Sequence, residues 1–417
     1  MVAGEERAGQ QTSFFPYAQF ISRYRHHFLP SEKGRGATLG KRYLDSPLHR
    51  HFDGQVVCKP PGVAEPAGPE DKNLWPGFAV IPKQGDWSLL KAHIRDNLCG
   101  GDPPCFDYVL NWLALLVQCP GRLPGTAICL RGEPGTGKTI FVKFVEQMFH
   151  AESVATVTKP DQIVGHFNAI LSGRVLVFAD EAFFVGNPTS RGALNALVTD
   201  PKNAIERKGL DAVVEDNCVH LIIASNEDWF LGLKEHDRRF LVLEVSTAHR
   251  QDHLYFEAIR RQQEDEGGTA AMLHDLLVRS LTDFNPATLP WTAAKQDQVN
   301  RSRGGYDAWW YHHLTEATTE SWQSQQPKHR LYNAYRNYAD SIGDRHPQRP
   351  EFLSKFLIKY YGAGVTGRRR IEGKQIHVYL LPPLAEARRK FDAHEPWPEE
   401  SSATVSTMAI RGRRRSG

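Results

Sequence analysis

The sequence predicts an α/β protein: a mostly parallel sheet with helices on both faces, followed by a smaller α+β domain. Three observations carry this. Between residues 125 and 245, short apolar, β-branched runs alternate with helix-length polar stretches, the pattern of strands buried on both faces of a parallel sheet. One of these runs leads through a glycine-rich turn directly into a helical pattern. After residue 326 the periodicity changes to two helices and then a basic hairpin.

The 417 residues leave room for two or three domains at roughly 150 residues each. A content of 41% hydrophobic and 24% charged residues is that of a chain that buries a core. No apolar run approaches the roughly 18 residues of a membrane helix. The N-terminal MVAGEERAGQQ lacks the basic-then-apolar plan of a secretory leader. A cytoplasmic protein without a membrane partner is expected, in the host cytoplasm if phage-encoded. The six cysteines show no C-x-x-C spacing, so neither a disulfide framework nor a zinc ribbon is indicated.

Residues 1–85 show little periodicity and are expected to be irregular, with a loop at KPPGVAEPAGPEDK (59–72). His49, His51 and Cys58 form H-x-H-x6-C without a fourth partner, and ordinary surface residues are the better reading. Residues 86–124 hold two helical stretches, DWSLLKAHIRDNL and FDYVLNWLALLVQ, split by GGDPP, a collar-like segment. Residues 125–250 form the core, with strands expected at 126–130, 153–157, 174–178, 219–224 and 240–245. Residues 251–325 read as a helical linker region: a helix pair at 253–281, the breaker FNPATLPW, and an aromatic helix at 306–322. Residues 326–392 predict helices at 331–342 and 351–361 and a hairpin at 368–381 around Gly373, a winged-helix-like module. Residues 393–417, ending RGRRRSG, are expected to be a disordered basic tail.

Residues 132–139, GEPGTGKT, match the pattern G-x-x-x-x-G-K-[ST] in the strand–loop–helix context that a phosphate loop requires. Gly132, Glu133, Pro134, Gly135, Thr136 and Gly137 would form the nucleotide loop, its glycines letting backbone N–H groups curl around a β-phosphate at a helix N-terminus. Lys138 would reach the β/γ oxygens and Thr139 would offer its hydroxyl to Mg²⁺. Some 42 residues on, RVLVFADEA ends an apolar strand in Asp180 and Glu181, where carboxylates are costly unless they serve a ligand. Asp180 suits Mg²⁺ and Glu181 a general base for an attacking water. A third strand ends in Asn226, placed to sense a γ-phosphate, although Asn is also a common turn residue. Arg238 and Arg239 precede the last strand; they are either a solvated turn or an arginine finger at a subunit edge.

In this order these motifs resemble the superfamily 3 helicases, specifically the helicase portion of the phage, plasmid and large-DNA-virus primase-helicase family. The resemblance spans roughly residues 43–391 and includes NLWPGFAV, GHFNAILSGRVLVFADEAFF, ALVTDPKNAIERKG, IIASNEDW and DRRF. It implies an AAA+-like P-loop NTPase core that hydrolyses ATP with Mg²⁺ between the subunits of a hexameric ring. Lys138, Thr139, Asp180, Glu181 and Asn226 would come from one subunit and Arg238 or Arg239 from its neighbour. It places Lys208 on single-stranded DNA in the ring's channel with Arg207 beside it. It likewise implies a winged-helix domain whose Arg368, Arg369, Arg370 and Lys374 contact the phosphate backbone; a merely charged, exposed hairpin is the alternative. The upstream primase domain of many relatives has no counterpart in the first 85 residues, so priming is not expected and a separate primase or polymerase is a partner to consider.

The expectation is an ATP-driven DNA helicase or translocase of a phage or mobile element, acting on single-stranded and forked DNA. A DNA-stimulated ring ATPase that loads replication proteins, or a nucleotide-switched initiator, are the competing readings. Charge supports the location of DNA contacts. Residues 327–417 hold 18 Lys and Arg against 9 Asp and Glu, net +9, whereas the whole chain is +3 and residues 1–326 are therefore −6. A chain shortened at residue 327 is accordingly expected to bind DNA more weakly.

Overall fold

The apolar runs between residues 125 and 245 pair as one parallel sheet. The computed structural model describes residues 2–7, 10–31, 34–48, 56–165, 167–181, 188–206, 211–344, 346–371 and 374–398. Its core strands are β1 Ala127–Arg131, β2 Val154–Val157 and β3 Leu176–Asp180. An antiparallel pair, β4 Lys202–Ile205 and β5 Val213–Asp216, follows. β6 His220–Ser225 and β7 Phe240–Glu244 complete the sheet in the order β7-β1-β6-β3-β2, every neighbour parallel. Ile128, Leu130, Val177, Ile222 and Leu241 are buried, as strands covered on both faces must be. The acidic strand lies two residues further along than predicted, so Asp180 is its last residue.

The first predicted helix is α1 Ser88–Ala92 running on as a π-helical turn, His93–Leu98. The second, α2 Pro103–Gln118, shows that GGDPP is a cap as well as a break: Asp102 accepts the N–H of Cys105 at 3.2 Å, and proline occupies the first turn. α3 Lys138–Glu146 leaves the glycine loop, α4 Pro188–Thr199 follows β3, and α5 His253–Glu264 and α6 Gly268–Val278 follow β7. Trp112, Phe141, Phe144, Ile222, Leu241 and Met272 share one core.

The N-terminal region departs from the irregular coil predicted for it. It holds two antiparallel pairs, Val2–Arg7 with Gln10–Pro16 and Phe28–Ser31 with Gly34–Thr38, and short helices at Tyr17–Arg23 and Leu39–Leu44. His49 and His51 lie outside the described residues, as do residues 399–417 of the predicted tail. Cys58 packs at Gly173, its thiol pushed up to about 11 by burial.

The chain divides into two compact units, the second made of Trp291–Gly417 together with Trp229–Asp237. That inserted segment lies between β6 and β7 in sequence, yet the N–H groups of Phe230 and Leu231 donate to Oε1 of Gln298 at 3.1 and 3.2 Å. The second unit contains α7 Ala293–Arg301, α8 Gly305–Glu316, α9 Lys328–Ser341 and α10 Pro350–Tyr361. A three-stranded sheet, β8 Gln325–Pro327, β9 Thr366–Ile371 and β10 Lys374–Leu380 in the order β8-β10-β9, and α11 Leu384–Phe391 close it. β8 and α11 were not predicted, and α8 stops six residues before the predicted end because Ala317 turns to extended backbone. Trp310 and Leu314 share a core with Tyr335, Leu353 and Phe391. A cut at residue 327 divides that core, so the shortened chain tests folding before it tests affinity.

No helix among the described residues is long and apolar enough to cross a membrane. Two buried histidines give the core a pH dependence. His93 and His220 are fully enclosed, and burial lowers both from 6.5 to about 4. Both stay neutral in the folded chain but take up protons on unfolding, so their contribution is intact above about 6.5 and lost as pH falls toward 4. The limiting slope is about 2.7 kcal/mol per pH unit for the two groups. Urea unfolding followed by tryptophan fluorescence between pH 7 and 4 is expected to show this loss, and His220→Phe is expected to halve the slope.

Candidate functional site

In a parallel sheet the loops beyond the carboxyl ends of the strands form the natural crevice. β1 ends at Arg131, the chain curls through residues 132–137, and α3 begins at Lys138. The N-cap of α3 is Gly137, with φ 98° and no side-chain cap, so the first N–H groups of the helix face the crevice without a side-chain acceptor. A β-carbon on Gly137 would lie 2.5 Å from Cε1 of His93 and 2.7 Å from Cε1 of Phe256, so this position needs glycine for space as well as for φ.

Lys138 is buried, and its Nζ donates to the carbonyls of Gly132 (2.5 Å) and Glu133 (2.9 Å) and to Oδ1 of Asn226 (2.8 Å). Asn226 in turn donates from Nδ2 to Oε1 of Glu181 at 2.9 Å. The amide therefore joins the loop lysine to the candidate base, three residues drawn together from β1–α3, β3 and β6. Burial lowers the Lys138 pKa against the pull of Asp180, Glu181 and Glu244. Burial also raises Asp180, with the Glu181 charge adding to it and Lys138 opposing it. Glu181 sits at φ 55°, a left-handed conformation costly for a non-glycine residue and concentrated at functional sites. Thr139 is exposed on the wall of the same cleft, about 460 Å³, which Asp180, Glu181, Asn226 and residues 134–138 also line.

The cleft can take an anion on the loop amides and Lys138. Thr139 and Asp180 supply hard oxygen donors of the kind Mg²⁺ accepts alongside water and phosphate oxygens. Glu133 is ion-paired with Arg250 outside the cleft wall.

The remaining predicted residues lie elsewhere. Arg238 is exposed and Arg239 half-buried; the carbonyl of Arg239 accepts the N–H of Ala127 at 2.7 Å, at the amino ends of β7 and β1. That is the opposite edge of the sheet from the glycine loop. Arg207 and Lys208 fall outside the described residues. The end of β4 that leads into them is held by Asn168, which donates to the carbonyl of Ala204 (2.9 Å) and accepts from the N–H of Glu206 (2.8 Å). Arg368, Arg369 and Arg370 are exposed along β9 of the second unit, and Lys374 opens β10 opposite Ile371.

Several cleft residues were not anticipated. Gln251, His253, Phe256 and Arg260 line it from α5 and the turn before it. The signal for them is topological: α5 follows β7, whose carboxyl end shares the edge with the glycine loop. His93 and Asn97 reach the loop from the π-helical turn, and no local pattern in the sequence announces them.

A glycine loop, an acidic strand end and an amide strand end on one edge of a five-stranded parallel sheet define an α/β protein with a polar cleft at the carboxyl ends of its strands. Residues 130–239, which contain all three, match a model described as a family of unknown function, DUF5906. Over 159 residues, 37% of this chain, the sequence is 29% identical to the DNA primase-polymerase of Nitratiruptor phage NrS-1. The match covers 22% of that protein, so the chain spans about a fifth of the curated relative. Two solved structures of the NrS-1 C-terminal region share the fold at 17% identity and a TM-score of 0.65: the apo structure of residues 305–718, with 91% of this chain and 93% of that one covered, and an A-form apo structure, with 91% and 94%.

Gly137→Ala is expected to lower the thermal unfolding midpoint, because the added methyl meets two rings. Gly135→Ala, whose methyl would meet the flexible Gln251 side chain at 3.2 Å, is expected to cost less. Paired thermal melts of the two variants check the order.

Proposed function

We propose that this chain is an ATPase of phage or mobile-element DNA replication, a superfamily 3 helicase or translocase that works on single-stranded DNA as a ring. The observation that carries the ATPase reading is the Lys138–Asn226–Glu181 network beside an anion cradle. The similarity to a phage DNA primase-polymerase supports the replication setting.

In this reading the N–H groups of residues 135–138 hold the β-phosphate, and Lys138 exchanges its two carbonyl acceptors for β/γ oxygens. Thr139 and Asp180 would hold Mg²⁺, which when bound would supply positive charge to the phosphates. Glu181, which accepts from Asn226, would orient the attacking water and take its proton. Asn226 fixes the Glu181 carboxylate and stands where a γ-phosphate would meet it. Arg238 and Arg239, at the far edge of the sheet, would serve the site of a neighbouring copy. In this reading α9, α10 and the basic hairpin of β9 and β10 act as a winged-helix-like module of the second unit, and Arg368, Arg369 and Arg370 would contact DNA phosphates.

A second reading is nucleotidyl transfer, suggested by the relative's name. The products separate the two: ATP hydrolysis releases phosphate, nucleotidyl transfer releases pyrophosphate. Wild-type chain with ATP, Mg²⁺ and single-stranded DNA is expected to release phosphate, and Lys138→Ala to lower that release by at least a hundredfold with DNA binding retained. Pyrophosphate release dependent on template would overturn the ATPase reading. Replacing Arg368, Arg369 and Arg370 together by Ser, which leaves the second unit's core intact, is expected to weaken DNA binding and reduce the slope of log affinity against log salt by about 2 to 3. Fluorescence anisotropy across a salt series measures both.

A further inference from the structure

The carbonyls of the glycine loop are accounted for in a particular way. Those of Gly132 and Glu133 accept from Lys138, and that of Glu133 also accepts from the Thr136 hydroxyl at 2.8 Å. The next donors come from outside the loop: the N–H of Gln251 to the carbonyl of Gly135 at 3.0 Å, Nδ2 of Asn97 to that of Thr136 at 2.7 Å, and Nε2 of His93 to that of Gly137 at 3.2 Å, which also accepts the N–H of Phe141 in α3 at 3.3 Å. A peptide unit whose carbonyl is fixed on one side presents its N–H on the other, which here is the cleft.

His93 and Asn97 are four apart on one face of the π-helical turn, a form that recurs at functional positions. The turn is tied in its own right, since the carbonyl of Asn97 accepts the N–H of Ser246 at 2.9 Å. Donation by His93 Nε2 makes its Nδ1 the acceptor, and the Tyr255 hydroxyl lies 3.1 Å from Nδ1. Tyr255 stacks on His249 at 3.6 Å, and His249 is paired with Asp252, the cap of α5. Asn97 is almost wholly buried, and its Oδ1 has no hydrogen-bond partner among the described residues, so the position carries a cost for the sake of its amide N–H.

We propose that His93 and Asn97 are positioning residues for nucleotide. They hold the Thr136 and Gly137 carbonyls out of the cleft and so aim the loop amides at the bound phosphates. Tyr255 fixes the His93 tautomer, which makes α5 and the π-helical turn two jaws of one clamp on the loop. This rests on the nucleotide reading of the same site, and it adds residues some 40 positions upstream of the motif.

The test is calorimetric titration of the full chain with ATP and Mg²⁺, alongside melts of the nucleotide-free protein. His93→Phe keeps the ring and removes the donor; it is expected to bind ATP roughly tenfold more weakly. His93→Gln restores a donor at the Nε2 position and is expected to recover affinity to within about threefold of wild type. Single-stranded DNA affinity is expected to be unchanged in both. Asn97→Leu and Tyr255→Phe follow the same criterion should His93→Phe fail to fold. ATP affinity within twofold of wild type for His93→Phe, or equal weakening by the Gln and Phe variants, overturns the clamp. If wild type binds ATP, Lys138→Ala does not, and His93→Phe does, the clamp fails and the nucleotide reading stands. If wild type binds no ATP, both fall.

Discussion

The register of β6 between β1 and β3 is the constraint on which the site depends. Ala224 lies level with Leu130 on one side and Asp180 on the other, and the Gly132 N–H donates to the Ser225 carbonyl at 3.2 Å. The glycine loop, the acidic pair and Asn226 therefore leave the sheet at one height. A slip of one residue would turn each strand's side chains to the opposite face and offset Asn226 from both partners. Burial on both faces prevents it: Ile222 packs between Ile128 and Phe178, and each of these runs is apolar without interruption.

On that edge, charge is balanced internally. Lys138 is too enclosed to remain a charged group without acceptors, and the loop's own first two carbonyls and Asn226 supply them. The same acceptors can be exchanged for phosphate oxygens, because the loop's amides and the start of α3 already favour an anion there. Burial and then the Glu181 charge raise the Asp180 pKa while Lys138 lowers it, so a cation brought to Asp180 and Thr139 would favour the charged carboxylate.

The parts legible in the sequence are those whose partners are close in the chain or repeat with a period. The core strands showed in their apolar runs, the glycine loop between β1 and α3 in eight contiguous residues, and α9, α10 and the basic hairpin in their changing periodicity. What stayed hidden depends on contacts between distant segments. His93 acts on Gly137 and Asn97 on Thr136 across some 40 residues, from a turn whose sequence, HIRDNL, reads as ordinary helix. Trp229–Asp237 reads as the loop between two core strands, yet it is held by Gln298 and Ser302 of the second unit. The hairpin of Phe28–Ser31 and Gly34–Thr38 escaped because strands this short carry too few residues to show alternation.

The place of Arg238 and Arg239 bears on how the site could be completed. They stand at the amino ends of β7 and β1, and five residues of strand, roughly 16 Å, separate that edge from Gly132. An arginine side chain extends less than half that distance, and the path along the strand is filled by the buried core. If either arginine supplies charge to a nucleotide held by a glycine loop, that loop therefore belongs to another copy of the chain. An arrangement in which the amino edge of one sheet faces the carboxyl edge of the next is head-to-tail, and head-to-tail contacts close as rings or run on as filaments. The ring reading thus follows from the arginines only together with a catalytic role for them, and the two propositions stand or fall as one.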